Sequence, residues 1–128
     1  MSSAFLLDTH VLIWLLRDPD RVPKSVRERL ADPANDVHAS AVNALEIAIK
    51  RQLGKLPPLP SDIAQAVRQM GLGLADVTFE DAAGVERLPL HHRDPFDRLL
   101  VAQARRMGAT LVSADGKLEP YSVSLLRP

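Results

Sequence analysis

The feature that most constrains this chain is the way short apolar runs, each too short for a helix, alternate with longer segments of helical periodicity. "AFLL" (4–7) has strand length and ends at Asp8, and "THVLIWLL" (9–16) follows it as a buried helix. "RDPDRVP" (17–23) is a turn whose prolines stop helices, and "KSVRERLAD" (24–32) is a short amphipathic helix. "DVHAS" (36–40) alternates weakly as a second strand. Ser40 then caps a helix over "AVNALEIAIKRQL" (41–53), in which Val42, Leu45, Ile49 and Leu53 keep helical spacing until Gly54. "KLPPLP" (55–60) is a stiff connector to a helix over 61–71. "LGLADVT" (72–78) predicts a strand and "FEDAAGVERLP" (79–89) a helix with an internal glycine. "PFDRLLVAQARRMG" (95–108) predicts a helix, "ATLVSAD" (109–115) a strand and "SVSLL" (122–126) a last short strand. Strands alternating with helices in this way predict an α/β fold, a parallel sheet covered by helices through right-handed crossovers. In such sheets, sites form outside the carboxyl ends of the strands.

With 128 residues and no repeat or linker, a single domain over 1–128 is expected. The balance of 46% hydrophobic and 25% charged residues is globular rather than disordered. A formal net charge of zero offers no global basic field for a nonspecific polyanion binder, but leaves room for local phosphate contacts. The absence of cysteine excludes disulfides, thiolate zinc sites and a cysteine nucleophile. The start "MSSAFLLDTHVLIWLL" has no basic n-region, and Asp8 and His10 interrupt its apolar run. It reads as neither a signal peptide nor a membrane span, so a cytoplasmic protein with no membrane partner is expected.

Asp8 follows the first strand and Asp115 closes "TLVSA", which puts both at carboxyl ends of strands. Glu46 sits between Leu45 and Ile47 on a largely apolar helix, where a carboxylate is costly unless paired, hydrated or bound to a cation. Asp97 lies in the first turn of the helix opened by "DPFD". Each acid also has a structural reading: Asp8 and Asp94 as helix caps, Asp97 as a capping-box member and Asp115 as a turn former before Gly116. Taken jointly, several carboxylates without matching bases repel one another and raise one another's pKa values. Mg²⁺ or Mn²⁺ resolves that conflict through oxygen ligands, and such a site can activate water for phosphodiester cleavage. Thr9 and Ser113 stand beside strand-end acids and could orient a carboxylate or a water, or serve as cap and turn hydroxyls.

"LLDTHVLIW", "SAVNALEIAIK", "HRDPFDRLLVAQA" and "LVSAD" resemble, in order and spacing, the four acidic motifs of PIN-domain ribonucleases. More closely, they are similar to the VapC toxin branch of type II toxin–antitoxin systems. The resemblance covers essentially the whole chain. It implies a three-layer α/β/α sandwich with a parallel sheet of about five strands. It implies an Mg²⁺- or Mn²⁺-dependent endoribonuclease acting on RNA, structured RNA such as tRNA being the expected target. The family's acids fall on Asp8, Glu46, Asp97 and Asp115 as catalytic and metal-binding residues, with Asp8 and Asp97 as leading ligands and Asp94, Thr9 and Ser113 supporting. Asn43 departs from the small polar residue that many relatives carry, and is expected to tune the pocket. The resemblance also implies a homodimer, possible higher toxin–antitoxin assemblies, and an antitoxin whose tail would cover the site.

Arg17, Lys50, Arg51, Arg93, Arg98 and Lys117 lie near the acidic motifs in sequence. Arg93 and Arg98, which flank the acidic helix start, are the leading candidates for RNA phosphate contact. His91 and His92 are weak general-base candidates. His10 and Trp14, four residues apart, read as core or dimer-face residues. Two other readings compete: a catalytically silent PIN-like binding or scaffold module, and a phosphoacceptor receiver domain, which does not need Glu46.

Overall fold

A strand made from "AFLL" has no polar face, so both of its sides must be covered, and it occupies the centre of the sheet. The computed structural model describes residues 3–90, 94–118, 121 and 125–127. Strand β1 (Ala4–Leu7) pairs in parallel with β2 (Asp36–Ser40) on one side and β4 (Thr110–Val112) on the other. With β3 (Gly73–Ala75) and β5 (Leu125–Leu126) at the edges, the order is β3-β2-β1-β4-β5, five parallel strands as expected.

The two faces follow from strand alternation. Phe5 and Leu7 join Val37, Ala39 and Val112 on one face. There they meet Val11, Leu12 and Ile13 of α1 (Thr9–Arg17), Val26 and Leu30 of α2 (Lys24–Ala31), and Val67 of α4 (Ile63–Gln69). Leu6 and Leu111, register partners on β1 and β4, face the other way. They pack with Leu100, Val101 and Ala104 of α6 (Pro95–Met107). Helix α3 (Ala41–Gln52) contributes Ile47 to the first core and Val42 to the second. Helix α5 (Phe79–Gly84) is tied to α6 through buried Asp81, whose two oxygens take Nε and Nη2 of Arg106 at 2.5 and 3.0 Å. Burial opposes the ionised form of Asp81 more than any single contact favours it, but the Arg106 and Thr78 hydrogen bonds and the Arg106 charge together outweigh it, and the carboxyl stays below the usual range. The result is the three-layer sandwich.

The chain runs outward from β1 to β2 and β3, then returns to pair β4 with the other edge of β1. The switch point therefore lies between β1 and β4, whose carboxyl ends carry Asp8 and Ser113 to Asp115.

Element ends moved for local reasons. The strand expected over 72–78 shortens to Gly73–Ala75, because Thr78 turns away to cap α5 in a capping box with Asp81. The helix expected over 79–89 is α-helical only to Gly84 and ends as a 3₁₀ turn, Val85–Arg87, ahead of Pro89. The helix expected over 61–71 is α-helical over Ile63–Gln69, with Asp62 as its N-cap. The turn at 17–23 contains a 3₁₀ turn, Pro19–Arg21. Of "SVSLL", residues 122–124 lie outside the described residues.

Leu111 is fully buried opposite Leu6. Leu111→Ala is expected to cost about 2–5 kcal/mol in a urea unfolding titration, the range for a leucine cavity in a close-packed core.

Candidate functional site

Asp8 is at once the end of β1 and the N-cap of α1. Its backbone N–H donates to Val112 O at 3.0 Å, which continues the β1–β4 pairing, while its Oδ1 accepts from the Val11 N–H at 2.9 Å. Its Oδ2 accepts from the Ser113 hydroxyl at 2.5 Å, and Ser113 Oγ in turn accepts the Asp115 N–H at 3.1 Å. Two of these hydrogen bonds, Asp8 N–H to Val112 O and Ser113 to Asp8 Oδ2, cross the switch point. Asp8 is 4% exposed. That burial pushes its carboxyl above the ordinary value of 3.8; the Ser113 and Val11 hydrogen bonds and the nearby His10 oppose the rise, and the charge of Glu46 adds to it.

Asn43 carries the same order into α3. It is fully buried; its Oδ1 accepts the Ser40 N–H at 2.7 Å in a capping box. Its Nδ2 donates to Leu7 O and Thr9 Oγ1, both at 3.1 Å. The expected pocket-tuning residue is therefore a strut between the start of α3 and the β1–α1 junction, and Thr9 is buried as its partner. Glu46, one turn further along, is buried and paired with Lys50 Nζ at 2.7 Å, which meets the condition its apolar setting imposed.

Asp94 has the cap geometry that "DPFD" predicted: its Oδ1 accepts from the Phe96 and Asp97 N–H groups, with Pro95 at the first helical position. Asp97 is half-buried in the turn fixed by this cap. Asp115 combines its two readings. It lines a cavity with Asp8, and its Oδ1 also accepts the Lys117 N–H at 2.9 Å.

The expected four-acid cluster is not assembled: among the described residues no three acidic or histidine side chains converge closely enough to hold a metal. Two of the acids have other partners: Asp8 accepts hydrogen bonds from Ser113 and Val11, and Glu46 pairs with Lys50. Asp8 and Asp115 share a cavity of about 260 Å³ completed by His10, Trp14 and Ala114, and Glu46 is near enough to act on Asp8 electrostatically. These hard oxygen donors around a desolvated carboxylate fit Mg²⁺ or Mn²⁺, which bind through one or two carboxylates and otherwise keep waters.

The cations near the motifs have structural duties. Arg17 donates to Pro58 O at 2.8 Å, and Arg51 donates to Pro60 O and Ser61 O, so the two strap down the proline connector. Arg98, expected at RNA phosphates, donates to Val85 O and Leu88 O, both at 3.1 Å, at the end of the α5 segment. Arg93, His91 and His92 lie outside the described residues. His10 corrects the core reading: it is exposed on α1, its ring 6.5 Å from Trp14, because α1 turns its Val11–Ile13 side to the sheet.

Gln103 was missed. It is fully buried on α6, where its Oε1 accepts the Ser40 hydroxyl at 2.5 Å and its Nε2 donates to Asp76 O at 3.2 Å. It thereby links α6 to the ends of β2 and β3. The available signal was a lone amide on the Leu100–Ala104 face of a strongly amphipathic helix.

The sequence matches the family model described as "PIN domain" over residues 5–122. No curated protein matches the chain significantly. Among solved structures, the fold is similar to VapBC2 from Rickettsia felis bound to a DNA fragment from their promoter, with a TM-score of 0.68, 16% identity and coverage of 97% of this chain and 98% of that one. FitAB bound to an IR36 DNA fragment gives 0.70, 20% identity and coverage of 97% and 94%. VapBC-5 from Mycobacterium tuberculosis, a member of the VapBC family of toxin–antitoxin systems, gives 0.55, 19% identity and coverage of 98% and 97%. At these identities, the likeness is one of fold.

The raised pKa of Asp8 has a signed consequence. A native carboxyl that holds its proton above the unfolded value makes folding less favourable as pH rises from 3.8 through the native value. In chelator, Asp8→Asn, which keeps the cap acceptor, is expected to be at least as stable as the parent at pH 7. The difference should vanish as pH falls below 3.8, followed by urea titrations across that range.

Proposed function

The chain belongs to the PIN domain family, and from that premise we propose that it is a divalent-metal-dependent endoribonuclease, the toxin of a type II toxin–antitoxin system acting in the cytoplasm. The observation that carries this reading is a desolvated carboxylate, Asp8, held at the β1–β4 switch point in a cavity it shares with Asp115. Asp8 and Asp97 would be the leading metal ligands, with Glu46 and Asp115 completing or adjoining the shell. A bound Mg²⁺ or Mn²⁺ supplies charge neutralisation at a phosphodiester and lowers the pKa of water there. The protein's own contribution is positional. Ser113 fixes the rotation of the Asp8 carboxylate, the Asp94 cap fixes the helical turn that carries Asp97, and Asn43 sets α3, with Glu46, against the β1–α1 junction. RNA, with structured RNA such as tRNA foremost, is the proposed substrate.

The VapBC and FitAB relatives support a cognate antitoxin as partner, a basic side chain of which could neutralise the acidic cavity. Self-association is supported by Leu45, Ile49 and Leu53, which form an exposed apolar stripe on one side of α3. One observation favours the competing silent-module reading: Glu46 is already neutralised by Lys50.

Purified protein is expected to cleave a cellular RNA pool with Mg²⁺ or Mn²⁺ and not with a chelator. Folded Asp8→Asn and Asp97→Asn proteins should lose the activity, whereas Asp94→Ser keeps it. Ser113→Ala, acting one step behind the ligand, should lower cleavage about 10- to 100-fold. No metal-dependent cleavage of any pool would leave the silent module as the better reading. Leu53→Asp should move the protein to monomer mass in light scattering.

A further inference from the structure

Trp14 is the chain's single tryptophan. Aromatic side chains are scarce in this protein, and most serve its core: Phe5 and Tyr121 are buried, and Phe96 packs against the α6 side of the sheet. Trp14, half-buried against the first core, and exposed His10 also line the cavity that contains Asp8 and Asp115. Their rings lie 6.5 Å apart at 44°, tilted rather than stacked face to face, and both residues line the cavity. The Arg21 guanidinium sits 4.9 Å from the Trp14 ring centroid, a cation–π contact that holds the indole in place from α1's neighbouring turn. Ala114, the other described residue that lines it, adds little bulk. A volume of about 260 Å³ is below the ~300–1,000 Å³ of sites for drug-sized ligands, which suits one flat group rather than an extended one.

We propose that His10 and Trp14 form a stacking subsite for an unpaired nucleobase beside the acidic residues Asp8 and Asp115. The inference rests on the nuclease reading. If a phosphate of single-stranded RNA reaches Asp8, a neighbouring base falls within the same cavity. The base is also the part of the nucleotide this cavity can hold unaided, because its carboxylates repel phosphate and no lysine or arginine is among its described lining residues. Stacking is tolerant of base identity, since every base has a π face. The subsite therefore selects unpaired over paired RNA rather than a particular sequence.

The single tryptophan makes the contact directly readable. The experiment titrates the intact protein, in Mg²⁺, with a fluorescently labelled phosphorothioate hexaribonucleotide chosen to resist cleavage. A ribose-phosphate chain of the same length without bases is run beside it, and binding is followed by anisotropy and stacking by indole quenching. Quenching by the base-bearing RNA and none by the abasic chain is the expected result. Trp14→Ala should weaken binding roughly 5- to 150-fold, the equivalent of one stacked base. Trp14→Phe, which keeps a ring and is less disruptive to the fold, should retain most of the affinity, and His10→Ala should fall between them. RNA that binds with undiminished affinity to His10→Ala and Trp14→Ala, without quenching the parent's indole, overturns the subsite and reassigns the ring pair to a protein contact, while the nuclease reading stands. Failure of both chains to bind overturns the nuclease reading, and the subsite with it.

Discussion

A carboxylate taken out of water at the end of the central strand is the constraint on which the site depends. Asp8 cannot be buried without hydrogen-bond donors, and the parallel pairing of β1 with β4 delivers them: Ser113 from the end of β4 and the Val11 N–H from the helix that Asp8 itself caps. The Asp115 N–H then holds Ser113, and Asn43 holds Thr9 and the Leu7 carbonyl. One connected set of polar groups thus joins β1, β4, α1 and α3. Each member has a partner, as a buried polar network must if it is to rigidify rather than weaken a core.

The electrostatics of the chain follow from the same economy. A neutral total charge leaves no surplus of arginine and lysine for a broad RNA-binding face. Among the described residues, Lys50 is paired with Glu46 and Arg106 with Asp81, while Arg17, Arg51 and Arg98 keep their charge but donate to backbone carbonyls. Attraction of a polyanion by long-range field is therefore weak. On the proposed reading, recognition of RNA falls to the cavity, to a cation held by its carboxylates and to the rings that line it.

Much of this was legible in the residues themselves. "AFLL" with no polar face required a central strand, and "DPFD" predicted the Asp94 cap and the place of Asp97 on the first turn of α6. Glu46 on an apolar helix implied a partner, although not that the partner would be Lys50 one turn away. Gln103 was not legible, since helical periodicity marks it as facing the core without saying that Ser40 and the Asp76 carbonyl wait there. The duties of Arg17, Arg51 and Arg98 were hidden for the same reason: their acceptors are backbone carbonyls, which carry no residue-specific signal.

The sequence by itself determined the elements, their parallel arrangement, and the placement of Asp8 and Asp115 at carboxyl ends of strands, because periodicity, cap chemistry and strand length are local properties of the chain. Only the tertiary structure decided which of those acids share a cavity and which are neutralised. It also decided that His10 stands exposed beside Asp8, while Trp14 packs against the core and lines the same cavity. Those outcomes depend on burial and on contacts between segments far apart in sequence, such as Asp8 with Ser113 and Ser40 with Gln103. A buried hydrogen bond takes its strength from exclusion of water, and no single segment can exclude water alone.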